Sequence, residues 1–298
     1  MPEMVEIEIY RKHAERLVGR TVEAVDANDA WFCKRSTTPA LLVGTLLKRT
    51  IIAVRRIGKL LLLDMVLDLR LGLGSPIFDS HRVLSLGSHP TSHLAKEFVG
   101  EVCESDVVVL GLRFGMTGRL VVDGVAGIEE LLYSSGRNDS AWDRFGLRFT
   151  DGTSMSIRDP RRLGGVELDP DTTLLGVDAL VITIKELRVL TKRVAPIKSI
   201  LLDQSFIAGL GNLLVDEVLW RCGLAPNRPG TSIADAELRV LHKTIGITVR
   251  TMLARGGSHL GDMIEERHIN GKCPMDGAAM IKGTFGGRRS WWCPHHQV

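Results

Sequence analysis

IKSILLDQSFIAGLGNLLVDEVLW, residues 197–220, decides the fold. Apolar residues recur at helical spacing over Ile197–Leu202, the chain turns through Ala208-Gly-Leu-Gly-Asn212, and a second apolar helix starts near Leu213. Two glycines permit a tight turn, and the free N–H groups of the following helix aim outward, which suits an anion such as phosphate. The same turn can also be purely structural. Around this element the chain reads as helical. Thr183 can cap a helix carrying Ile184, Leu187 and Leu190, and Pro196 suits a first helical turn. Leu238, Leu241, Ile245 and Met252 trace one face of a long helix, with Ser232-x-x-Asp235 before it and Gly256-Gly257 after it.

Upstream of Pro170 the period is that of strands. After a helical stretch over residues 4–17, branched aliphatics dominate from Thr21 to about Arg162. Residues 144–159 read as a hairpin, with Phe145, Leu147 and Phe149 alternating and Asp151-Gly152 as a two-residue turn. A Gly/Ser/His-rich passage within 66–107 interrupts the strands and reads as a surface insertion. The expectation is an α+β multidomain chain: a catalytic domain over 1–168, a helical domain over 169–260 with a cleft between the two, and a small metal-stapled module over 261–298.

The 298 residues carry a formal net charge of +3, with 44% apolar and 24% charged residues. That balance permits a polyanionic partner without requiring one. No membrane span and no secretory leader are expected. The five cysteines are too scattered for a disulfide framework. Cys273-Pro-Met-Asp276 and Cys293-Pro-His-His296 repeat one spacing, as in small zinc modules. Cys273, Asp276, Cys293 and His296 are the candidate ligands of one structural Zn2+. His268 or His295 could substitute, and a hairpin that has lost its metal remains the alternative.

Met1-Pro2-Glu3 opens the chain. Removal of Met1 would leave Pro2 as a secondary amine, and an α-amino group with a pKa of about 7.7–8.0 is partly neutral and nucleophilic near neutrality. Attack on a sugar C1′ would give an iminium, with Glu3 beside it as general acid or base. Lys59 follows Arg55-Arg56, Met116 sits in a turn, Arg161-Arg162 follow a strand end, and Arg288-Arg289 lie on a Gly-rich hairpin.

In order, MPE at 1–3 with Glu6, RRIGK at 55–59, FGMTG at 114–118, DPRRLG at 159–164, LLGVDAL at 174–180, GLGN at 209–212 with Asp216-Glu217, and GGRRSWWCP at 286–294 resemble the Fpg/Nei family of bifunctional DNA glycosylases. The resemblance spans nearly the whole chain outside 66–107. It implies an N-terminal β-sandwich, a helix–two-turn–helix domain, a C-terminal zinc-finger-like β-hairpin and damaged double-stranded DNA as partner. It implies a monomer in the bacterial cytoplasm, associated with the nucleoid, removing oxidised bases in base-excision repair and cutting the strand by β/δ-elimination. Pro2, Glu3, Lys59 and Arg288 would be catalytic, and Glu6, Met116, Arg161, Leu163, Lys198 and Asn212 would meet DNA. Leu163 stands where Phe is usual, Leu213-Leu214 replace Ile-Tyr, and few residues separate Gly257 from Cys273. These departures weigh against 8-oxoguanine and towards formamidopyrimidines or oxidised pyrimidines. A damaged-DNA binder without turnover is the alternative, and a zinc-dependent hydrolase lacks an acidic base near its Cys/His cluster.

Overall fold

Alternating branched aliphatics and a run of leucines build two antiparallel sheets in the first half of the chain. A computed structural model describes residues 2–67, 106–129, 131, 132, 137 and 139–298. The interruption expected over 66–107 lies outside the described residues except at its ends, and so does Cys103. After α1 (Met4–Ala14) come β1 (Val22–Asp26), α2 (Pro39–Leu46), β2 (Arg49–Ile57), β3 (Leu60–Leu67), β4 (Val107–Arg113), β5 (Arg119–Val122), β6 (Val125–Ala126), β7 (Asp143–Phe149), β8 (Ser154–Arg158) and β9 (Gly165–Leu168). One sheet runs β2-β3-β4-β9 and the other β1-β7-β8-β5-β6. Leu60–Met65 are all buried, so β3 is covered on both faces. Along β7, Phe145, Leu147 and Phe149 are buried while Arg148 is exposed, the alternation read from sequence.

The turn after β7 is longer than the two-residue turn expected. Phe149 N donates to Thr153 O at 3.0 Å, which leaves Thr150, Asp151 and Gly152 in the loop. Gly152 takes φ +81° and the Asp151 carboxylate accepts from Thr153 N at 3.0 Å. A three-residue loop with glycine in the left-handed position is a favoured hairpin closure, and it satisfies the carboxylate locally.

The second half adds β10 (Val177–Asp178), α3 (Ile184–Leu190), α4 (Ile197–Leu202), β11 (Ile207–Ala208), α5 (Asn212–Arg221), α6 (Asp235–Arg255) and the hairpin β12 (Ile281–Phe285) with β13 (Arg288–Trp292). Thr183 caps α3 in a full capping box with Glu186. Pro196 is the residue before α4, one position earlier than a first-turn proline. At α6 the expected Ser232/Asp235 box does not form. Glu237 instead reaches back to Ala234 N at 2.8 Å, and Asp235 is drawn to Arg188 and Arg239. Gly256 ends α6 at φ +102°, where a left-handed residue closes the last turn. Val5, Leu187, Leu201, Leu214, Val218, Leu241, Ile245 and Met252 form the core of these helices. Trp220, Met263, Cys273, Met280, Trp291 and Cys293 form a smaller core beneath the hairpin.

The chain divides into two compact units. One comprises the segment ending at Ile9, Ile57–Lys59 and Asp171–Val298; the other holds Tyr10–Arg56 and Leu60–Pro170. The start of α1 joins the helical unit because Met4 N donates to Gly209 O at 3.2 Å. The β2–β3 tip joins it because Gly58 N donates to Asp178 Oδ2 at 2.8 Å. Among the described residues, no helix is long and apolar enough to cross a membrane.

Candidate active site and metal centre

Pro2 and Glu3 are buried at the head of α1. The Glu3 carboxyl accepts from Leu213 N at 2.8 Å and from Leu214 N at 3.2 Å. The first turn of α5 therefore grips it through N–H groups that have no partner within the helix. Gly211 makes the approach feasible, since a Cβ there would overlap the Glu3 carboxyl. Burial, above all, pushes the Glu3 carboxyl above the ordinary carboxylate range; Lys59 opposes this and Glu6 adds to it.

Lys59 arrives on the tip between β2 and β3. Gly58 holds φ +56° there, and a Cβ would lie 2.8 Å from that of Ala208 and 2.9 Å from Gly209 N. Asp178 fixes this tip from the other side, accepting from Gly58 N and, at 3.1 Å, from Leu180 N. Burial depresses the Lys59 ammonium; Glu3 counters that and Arg288 reinforces it.

Lys59, Gly211, Asn212 and Arg288 line one cavity of about 360 Å³, together with Ser199 and Gln204. Asn212 Oδ1 is buried with no hydrogen-bond partner among the described residues. Two cations and the N-terminus of α5 suit this cavity to an anion, to which the Asn212 amide can offer only its Nδ2 as donor. Arg288 reaches it from the hairpin, where Gly286 and Gly287 take φ +54° and +69°.

Two candidates for DNA contact lie buried. Glu6 is buried at 2% exposure, accepting from Glu3 N at 2.7 Å and from Ser258 N and Oγ at 2.6 and 2.7 Å. Lys198 has no exposed surface, and its ammonium donates to Asp216 Oδ1 at 2.6 Å and Arg289 O at 3.0 Å. Neither side chain is exposed to a polyanion.

Met116, Arg161 and Leu163 belong to the sheet unit. Met116 lies half-buried in the turn between β4 and β5, while Arg161 and Leu163 are exposed on the loop before β9. The buried Asp159 ties the two turns together, accepting from Thr117 Oγ1 at 2.5 Å, Arg161 N at 3.2 Å and Gly164 N at 2.8 Å. Asp159, Asp178 and Ser258 were not singled out from sequence. The two aspartates sit inside quoted motifs, yet their partners are too distant along the chain for spacing to reveal.

Cys273, Asp276, Cys293 and His296 place one donor atom each within 4.8 Å of one another, and this cluster could hold a metal ion. Cys273 Sγ to His296 Nδ1 is 3.5 Å and Cys293 Sγ to an Asp276 oxygen is 3.3 Å. Those spacings fit the edges of a tetrahedron around one ion. His296 Nε2 lies 3.1 Å from Trp220 O, so a proton on Nε2 leaves Nδ1 free to face the cluster. Trp220 Nε1 donates to Cys273 Sγ at 3.3 Å. His295 also approaches Asp276, at 3.2 Å, but is largely exposed.

The family model described as the formamidopyrimidine-DNA glycosylase N-terminal domain matches residues 1–166, and that described as the formamidopyrimidine-DNA glycosylase H2TH domain matches 175–263. A formamidopyrimidine-DNA glycosylase of Mycolicibacterium vanbaalenii is 27% identical, with 100% of this chain and 98% of that protein aligned. One from a Roseiflexus species is 33% identical, over 51% of this chain and 64% of that protein. A crystal structure of the Lactococcus lactis enzyme with abasic-site DNA matches the fold with TM-score 0.72 and 22% identity, covering 99% of both chains. The two family models and the aligned relatives define a DNA glycosylase of base-excision repair. The chain belongs to the formamidopyrimidine-DNA glycosylase family.

Proposed function

We propose that the chain removes oxidised bases from duplex DNA and then cuts the strand at the abasic site, through an imine formed by Pro2. The carrying observation is the buried Glu3 carboxyl on the N-terminus of α5, adjacent in sequence to Pro2, in the unit that also holds the Lys59, Asn212 and Arg288 cavity. A base within duplex must be extruded before its C1′ can be reached, at a cost of about a few kcal/mol. Lys59, Asn212 and Arg288 are assigned to the phosphates flanking the extruded nucleotide. Met116 and Leu163 are assigned to the void it leaves, and Arg161 to the orphaned base.

The Pro2 nitrogen attacks C1′, the bond to the base breaks, and the base leaves with its electron pair and the proton that the amine gives up. Glu3, whose hold on a proton burial strengthens, gives a proton to the deoxyribose ring oxygen as the ring opens to the iminium. The iminium acidifies C2′; loss of that proton expels the 3′ phosphate, and a second elimination expels the 5′ phosphate. Leu163 in the wedge position and the short stretch after Gly257 favour formamidopyrimidines and oxidised pyrimidines over 8-oxoguanine.

Cys273, Asp276, Cys293 and His296 would hold Zn2+ as a staple for the hairpin, away from the reacting atoms. Metal analysis is expected to find one equivalent of zinc per chain, lost on Cys293→Ala. Borohydride trapping on lesion and abasic duplexes is expected to give a covalent adduct on Pro2, in protein whose intact mass shows Met1 removed. Binding without any trapped adduct would sink the reading and leave the damaged-DNA binder.

A further inference from the structure

Three polar side chains with almost no exposure, Asp216, Lys198 and Ser290, meet beside the partly buried Arg267 guanidinium, and the chemistry proposed above uses none of them. Asp216 lies on α5, one turn beyond Asn212. Its Oδ1 accepts from Lys198 Nζ at 2.6 Å and Ser290 Oγ at 2.7 Å. Its Oδ2 accepts from the Arg267 guanidinium at 2.6 and 3.2 Å and from Trp291 N at 3.4 Å. Lys198 completes the ring by donating to Arg289 O at 3.0 Å. One carboxylate thus binds α4, α5, the segment before Cys273 and β13 together.

Burying charge is costly, and an apolar replacement of similar volume is often neutral or stabilising. Such a network therefore makes a poor staple, but a good gauge of register, because ion-paired hydrogen bonds tolerate little misplacement. The residues it holds are chain neighbours of the residues that line the cavity. Arg289 and Ser290, the hairpin residues it holds, directly follow Arg288. Ser199, which lines the cavity, directly follows Lys198. Asn212 lies on the same helix as Asp216, four residues earlier, which puts both on one face.

We propose that Asp216, with Lys198 and Ser290, is a positioning node that sets the Arg288 guanidinium and the Asn212 amide in register as two grips on one DNA backbone. The proposal rests on the reading of Arg288 and Asn212 as phosphate contacts. It assigns the placing of Arg288 to α5, through the node, rather than to the metal cluster at the other end of the hairpin. Lys198, read from sequence as a DNA contact, acts through Arg289 and Asp216.

A double-mutant cycle on full-length, zinc-replete protein tests it, with equilibrium binding to a tetrahydrofuran-site duplex and borohydride trapping as parallel readouts. Arg288→Ala is expected to weaken binding about tenfold in the wild type but less than about threefold in Ser290→Ala or Asp216→Asn, the non-additivity of coupled sites. Zinc content is expected to stay at one equivalent in both backgrounds. Ser290→Ala removes a single hydroxyl, so the cycle survives if Asp216→Asn fails to fold, and Ser290→Thr should restore the coupling. Additive effects in the Ser290→Ala cycle would overturn the node, as would an Arg288→Ala protein that binds like wild type. Absence of any trapped adduct in the wild type would instead overturn the glycosylase reading itself.

Discussion

At the scale of single residues, the site depends on one absent side chain and one misplaced proton. Gly211 has φ −118°, which any residue can adopt, so the objection to a side chain is space alone. A Cβ would overlap the Glu3 carboxyl, and both lie on fixed elements. Gly211→Ala is therefore expected to cut the rate of Pro2 trapping by at least about 100-fold, the penalty for misplacing a reacting group by about an ångström. A rate within about threefold of wild type would show that Glu3 need not sit on α5. Glu3 also has a pH signature. Its pKa in the folded chain lies above the ordinary value, so the folded state holds the extra proton. The sign follows: its contribution to stability falls as pH rises from the ordinary carboxylate range through the raised pKa. In Glu3→Gln that decline is absent, so the melting temperature of the variant minus that of wild type should grow with pH across this window. The alkaline limb of the trapping rate should disappear with it, while the acid limb, set by the Pro2 amine, remains. A melting difference flat in pH would mean that Glu3 titrates as it would in water.

Among the elements, caps and turns decide how well each helix holds its functional residue, and α6 has a weak start. Ala234 has the extended backbone of a cap, φ −67° and ψ 155°, yet offers no side-chain acceptor. Only Glu237, reaching back to its N–H, closes that end. Ala234 is exposed, so a serine can enter without disturbing packing. Ala234→Ser is expected to stabilise the chain by about 0.5–1 kcal/mol, because its hydroxyl can accept an N–H of the first turn. Urea unfolding would register this, with trapping unchanged. By contrast α3 already has the complete box, and Thr183→Ala should cost about 1 kcal/mol. A spacing search finds Thr183 because Thr-x-x-Glu is contiguous with its helix. It misassigns Ser232-x-x-Asp235 because Asp235 has a stronger option in Arg188, which lies 47 residues away in the sequence.

Over the whole molecule, what could be read from sequence was order, and what could not was depth. Among the described residues, strand period before Pro170, outside α1 and the unforeseen helix α2, helical period after it and the sequence of short motifs survive in the fold, because each is carried by neighbours in the chain. Glu6 and Lys198 show the difference, because a charged residue type in a motif looks the same whether it faces solvent or a buried partner. Only the folded contacts with Ser258, Asp216 and Arg289 distinguish the cases. That distinction can be measured through counterions. A formal charge of +3 is too small for bulk attraction to explain tight DNA binding, so affinity should rest on the few cations that touch phosphate. Each such contact releases condensed counterions and adds about 0.9 to the slope of log K against log salt. On the proposed roles, Arg288→Ala and Lys59→Ala should each lower that slope by about 0.9, while Leu163→Ala, which removes an exposed apolar side chain, should weaken binding and leave the slope alone. Lys198→Met is the decisive case. If its ammonium stays in the interior, the slope falls by much less than 0.9, and any lost affinity comes through Arg288; a full unit lost would place Lys198 on the DNA after all.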